Sequence, residues 1–185
     1  MKFIQILKNI LQEKQNQQNE FGCVMLDFYF PEIEQLHKVI YKDDLYEVEG
    51  DLSYGVETEP HTVLLYGLHR DEIGPGHVYD IVKNKVFSPC IMKNPSLFRN
   101  ELFDVLKFDV EGKNLHETNK ALKKLPHTSK FPNYHPHLTI AYLTPSTGEK
   151  YVSMLRGREY ELTPTKIIYN PGKGKKEEFP IKIQK

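Results

Sequence analysis

The chain has 185 residues, with Lys+Arg and Asp+Glu both at 25, so it carries no formal net charge. A hydrophobic share of 39% and an aromatic share of 11% supply a core and exclude a globally disordered chain. The charge balance excludes a broad basic face for long nucleic acid, and two cysteines, Cys23 and Cys90, give neither a disulfide framework nor a thiolate metal site. A reducing, cytoplasmic setting follows.

Met1 to Leu11 places Phe3, Ile6, Leu7 and Ile10 on one helical stripe, interrupted by Gln5, Lys8 and Asn9. Residues 1–20 therefore read as an amphipathic helix with a polar linker, packed on the body. The stripe is too broken for a signal peptide and too short for a membrane span, and no membrane partner is expected. Gly22 to Phe30 is apolar and β-rich, and Pro31 opens a helical pattern through Ile33, Leu36 and Ile40. A polar, acidic loop leads to a strand at His61 to Leu68, then a helix starting near Pro75 with Val78, Ile81 and Val82. Strands follow around Ile91 to Arg99 and Glu101 to Val110. Leu115, Thr118, Asn119, Leu122 and Leu125 then mark a helix ended by Pro126. Another strand begins at His137 and is followed by a helix through Val152 and Leu155. Short strands at Tyr160 to Leu162, Lys166 to Tyr169 and Phe179 to Ile183 complete the pattern. This order predicts an α+β fold with a largely antiparallel sheet.

Two segments echo each other. His61-Thr62-Val63-Leu64-Leu65-Tyr66 and His137-Leu138-Thr139-Ile140-Ala141-Tyr142 each pair a leading histidine with an apolar run and a tyrosine five positions on. Proline precedes both histidines. The echo predicts two similar lobes within residues 21–185, each offering a strand that starts with histidine. Two imidazoles facing each other across a groove divide acid and base roles near neutral pH. Thr139, two positions after His137, shares its face and is placed to hydrogen-bond a phosphate oxygen. Such chemistry needs no metal and no cofactor.

EPHTVLLYGLH and FPNYHPHLTIAYL resemble the paired motifs of the 2H phosphoesterases, the superfamily of 2′,5′-RNA-ligase-like proteins and RNA cyclic phosphodiesterases. The element order from Gly22 to Ile183 resembles phage-encoded members, among them anti-CBASS enzymes that destroy cyclic oligonucleotide signals. The resemblance implies a bilobal fold in which two mainly antiparallel sheets line a central cleft, with helices outside. It also implies a metal-independent phosphodiesterase that hydrolyses 3′–5′ bonds of cyclic di- or trinucleotides, with His61 and His137 catalytic. The implied partner is a small cyclic nucleotide in the host cytoplasm. A 2′,3′-cyclic or 2′,5′ RNA phosphodiesterase is the nearer alternative, and a non-catalytic nucleotide sponge the more distant one. The first motif departs from the family's His-x-Thr/Ser pattern: Val63 holds the place of the hydroxyl, and Thr62 reaches the cleft only through a bulge.

The remaining candidates are binding residues. Tyr54, Tyr134 and Phe179 are the choices for a base-stacking platform, and Lys130 lies in the loop before the second motif. Alternation turns Tyr66 and Tyr142 away from the cleft into the core. His135 and His137 have an H-x-H spacing, but no acidic or thiol partner at recognisable spacing accompanies them, so no metal is expected. His37 and His116 read as surface positions on helices. Gly172-Lys173-Gly174-Lys175-Lys176 lacks the P-loop pattern and reads as a basic hairpin turn.

Overall fold

The computed structural model describes residues 21–129 and 133–184. The N-terminal helix expected over 1–20 and the candidate Lys130 lie outside the described residues. Within them the strands are β1 (Phe21–Tyr29), β2 (His61–His69), β3 (Val86–Phe87), β4 (Cys90–Arg99), β5 (Asp104–Glu111), β6 (His137–Leu143), β7 (Tyr160–Asn170), β8 (Glu177–Pro180) and β9 (Lys182–Ile183). The helices are α1 (Ile33–Lys38), α2 (Pro75–Val82), α3 (Leu115–Leu122) and α4 (Glu149–Leu155).

Seven strands form one hydrogen-bonded path, β2–β1–β7–β4–β5–β6, with β8 added to β7. Neighbours on the path are antiparallel. The two sheets expected from the sequence are joined because β7 serves both. Tyr160 to Leu162 pair with β4, whereas Thr163 to Asn170 pair with β1. Pro164, which has no N–H to give a ladder, sits where the partner changes, beside a bulge at Thr165. Pro95 is accommodated similarly: β4 has lost β7 as a neighbour by then and pairs only with β5.

Helices α2 and α3 cover the half built on β1, β2 and β7, while α1 and α4 cover the half built on β4, β5 and β6. The stripe of α3 buries Leu115, Thr118, Asn119 and Leu122, four of the five positions expected from its periodicity. Val24, Leu26 and Phe28 of β1 and Leu106, Phe108 and Leu138 of β5 and β6 join one continuous core.

The two ends of the strand path come back together. The segment before β2 pairs with β6, through Val56 opposite Ala141 and Glu57 N–H donating to Ile140 O at 2.9 Å. The segment before β6 pairs with β2, through Leu68 opposite His127 and Thr128 N–H donating to Gly67 O at 2.8 Å. Each half thus holds the lead-in to the other half's first histidine strand.

Candidate active site

His61 and His137 are the first residues of β2 and β6, the strands at the two ends of the path. Cross-strand register fixes which way they look. On one half His61 is opposite Asp27 and Val63 opposite Met25. On the other His137 is opposite Asp109 and Thr139 opposite Lys107. Directly opposed residues share a face, so one histidine and its second neighbour project from each half into the same cleft.

Both rings are held in the same way. His61 Nδ1 lies 2.6 Å from Glu59 O, and His137 Nδ1 lies 2.9 Å from His135 O. A carbonyl only accepts, so each neutral ring carries its proton on Nδ1 and presents a bare Nε2. The intervening residue is proline in both cases, Pro60 and Pro136. Proline keeps the residue before it extended, which sets the carbonyl two positions upstream against the ring. The Pro-His pair seen in the sequence is therefore an aiming device.

This arrangement sits on a fold found in solved structures. Usb1 of Kluyveromyces marxianus, determined with uridine monophosphate, superposes with a TM-score of 0.62 at 9% identity, over 89% of this chain and 100% of that one. The fold is that of Usb1. A crystal structure of a phosphoesterase is similar at a TM-score of 0.45 and 11% identity, over 87% of this chain and 96% of that one. No family model and no curated protein matches the sequence.

The surroundings of His137 differ from those of His61. Phe98 stands edge-on to the His137 ring, with centroids 4.9 Å apart. The ammonium of Lys107, only 7% exposed, lies 4.7 Å from the Phe98 centroid and donates to Asp109 Oδ1 at 2.9 Å. Burial above all holds the His137 imidazole below the ordinary histidine range, and the charges of Lys107 and His61 act in the same direction. The two histidines belong to strands at opposite ends of one path, and those ends are bridged at Val56–Ala141 and Leu68–His127. Beside His61, Lys176 from the turn between β7 and β8 reaches Glu59 Oε2 at 3.2 Å, and Lys166 reaches Glu178 at 2.7 Å. These pairs, with Asp27 and Thr58, line a shallow recess next to the cleft. The Gly/Lys turn is a hairpin, as expected, and it leans over the segment that leads into β2.

Several expectations need correction. Thr62 is 1% exposed and its hydroxyl is buried next to that of Tyr134, so no bulge returns it to the cleft. The bulges of β2 come later, at Leu64 and Gly67. Tyr134 likewise turns its hydroxyl inward and sets its ring against His116, which makes it a packing residue. Phe179 packs on Tyr79 of α2, on the helix side of the sheet. Tyr66 and Tyr142, by contrast, are not core. The bulges at Leu64 and Ile140 shift the alternation by one, so Tyr66 falls opposite Cys23 and Tyr142 opposite Val105, on the faces of the histidines. Tyr54 packs edge-on against Tyr142, with Tyr46 and Phe103 completing a group of four rings beside β6. His37 is half-buried against β6 and not a surface residue.

Lys107 escaped the sequence reading, whereas His69 reads there as a residue of an exposed turn after the first strand. Lys107 was hidden in a strand of buried residues, where its only signal is a lone lysine alternating with Asp109. His69 donates or accepts at both ring nitrogens, to Glu72 at 2.8 Å and Thr128 at 2.9 Å, and so ties the lead-in of β6 to the end of β2.

Proposed function

We propose that the protein is a metal-independent phosphodiesterase of the 2H type. The observation that carries this reading is the pair of Nδ1-anchored histidines with Nε2 turned to one cleft, Thr139 beside them. In the reaction, Nε2 of His137 takes the proton of a ribose 2′-hydroxyl as its oxygen bonds to the adjacent phosphorus. Nε2 of protonated His61 gives its proton to the departing 5′-oxygen as the P–O bond breaks. A 2′,3′-cyclic phosphate results, and water opens it with the two roles reversed. His137 is assigned as base because its surroundings keep it neutral. Thr139 holds a non-bridging oxygen and so orients the phosphorus between the rings.

The substrate we assign is a cyclic di- or trinucleotide, and the biological role that of an anti-CBASS enzyme acting on such signals. Two considerations support this: the order of motifs along the chain, and the charge of the cleft. Lys107, Lys166 and Lys176 each have a carboxylate partner, which suits a compact ligand with few phosphates better than a long backbone. A second reading, a 2′,3′-cyclic or 2′,5′ RNA phosphodiesterase, is favoured by the likeness in fold to Usb1, whose structure holds uridine monophosphate.

The test is chromatography after incubation with cyclic di- and trinucleotides, 2′–5′ and 3′–5′ dinucleotides and 2′,3′-cyclic-phosphate RNA. Cleavage of the cyclic rings first supports the assignment, and preference for RNA ends supports the second reading. Binding without any product makes the protein a sponge.

A further inference from the structure

A cleft that grips phosphate with one hydroxyl from each half is incomplete here. On the second half Thr139 follows His137 by two and shares its face; on the first half that place belongs to Val63, opposite Met25. Thr62 does not compensate, because it is buried on the other side of the strand. The half that holds His61 therefore offers no hydroxyl at the position that matches Thr139.

Lys107 occupies the facing position. It lies opposite Thr139 in the β5–β6 register, on the cleft face, one pair along from Asp109 and His137. Its ammonium is almost wholly screened from solvent yet, among the described residues, has a single carboxylate, Asp109 Oδ1 at 2.9 Å, and the face of Phe98. An ammonium has three N–H donors and Asp109 accepts one of them. A buried cation is costly to maintain, and a purely structural position in a strand is met more cheaply by an apolar residue. Asp109 is itself partly open, with a side chain 44% exposed, so the pair can be shared with an arriving anion.

We propose that Lys107 replaces the hydroxyl that Val63 cannot supply, forming with Thr139 an asymmetric hydroxyl-and-ammonium site for the non-bridging oxygens of a phosphodiester. The inference rests on the phosphodiesterase reading and gives it a substrate-contacting residue. A phosphodiester carries one negative charge, and the five-coordinate species on the reaction path carries a second. A fixed cation therefore stabilises the transition state more than the bound substrate. Lys107 moves no proton in the reaction; Asp109 keeps it oriented while the cleft is unfilled.

The experiment combines Lys107→Met, Lys107→Arg and Val63→Thr with two readouts. One is turnover of the best substrate of the panel; the other is calorimetric binding of a 2′-deoxy dinucleoside monophosphate, which lacks the attacking hydroxyl. Lys107→Met is expected to lower kcat by about 100-fold with a smaller change in KM. Lys107→Arg is expected to retain more activity, and Val63→Thr to restore at least about fivefold to the Lys107→Met enzyme. A collapsed strand β5 cannot be rescued from β2, so rescue separates contact from structure. If Lys107→Met turns over normally, or is reduced without rescue by Val63→Thr, the proposal is overturned while the phosphodiesterase reading stands. If the wild type binds the deoxy diester through Lys107 but cleaves nothing, the site stands and the catalytic reading falls. Absence of both binding and cleavage overturns the two together.

Discussion

Leu64 and Ile140 occupy the same place in two strands: each is the unpaired residue of a bulge, three positions after a histidine. The carbonyl of Leu64 accepts from the buried Asn119 Nδ2 at 2.6 Å, and that of Ile140 accepts from Glu57 N–H at 2.9 Å. The bulged carbonyl is thus satisfied from a covering helix in one half and from a clamped segment in the other. The two bulges rotate Tyr66 and Tyr142 onto the cleft side, so a repeat in sequence is also a repeat in local distortion.

Replacing Asn119 tests this support. Asn119→Ala leaves the Leu64 carbonyl buried without its donor, at a cost of about 1–3 kcal/mol. Urea unfolding is the check, and an unchanged midpoint refutes the role given to Asn119.

Gly67 is required for a different reason. Its φ is +98°, and a β-carbon there falls 1.9 Å from the carbonyl oxygen of Thr128. Gly67→Ala is expected to destabilise the protein by about 2–4 kcal/mol, because strain adds to the separation of the clamp from β2. A melting temperature equal to the wild type's contradicts this.

The histidines are tested by kinetics. His61→Ala and His137→Ala are each expected to lower kcat by about 10²–10⁴-fold. The double variant should lose less than the product of the single losses, since the pair works as a unit. Near-normal turnover in His137→Ala removes it from the reaction.

Chelation gives a separate test. Acid, base and phosphate contacts are all side chains in the proposed mechanism, so activity is expected to persist in EDTA. Loss of activity that zinc or manganese restores points instead to a metal at His135 and His137.

The pH profile has a signed expectation. Burial, Lys107 and His61 all disfavour the protonated form of His137, so the base stays neutral to a lower pH than an ordinary histidine. The acidic limb of kcat/KM is therefore expected below about pH 6.5. Lys107→Met removes one of those positive charges, makes protonation easier and moves that limb upward. A limb that stays in place shows that Lys107 does not act on His137.

The sequence revealed the parts of this site that depend on residue identity and spacing. His61, His137 and Thr139 were legible because histidine, proline and the apolar run recur together. The directions of Tyr66 and Tyr142 were not, because strict alternation has no means of anticipating an extra residue at Leu64 or Ile140. Strand β7 looked like two strands because Pro164 interrupts its pattern, and only the change of partner explains why it continues. Lys107 was hidden because a cation in a buried strand is unremarkable until the opposite strand shows Thr139 beside it.

The exchanged lead-ins also bear on how the chain reaches this state. Val56 pairs with Ala141, and Leu68 with His127, so the strand bearing each histidine is finished by chain from far away in sequence. Ordering such contacts means closing long loops before any reward is collected, and folding rates fall as contacts become less local. We expect slow refolding in which both histidines come into place in one late step. A chain cut between the halves is expected to lose both sites at once instead of keeping one of them.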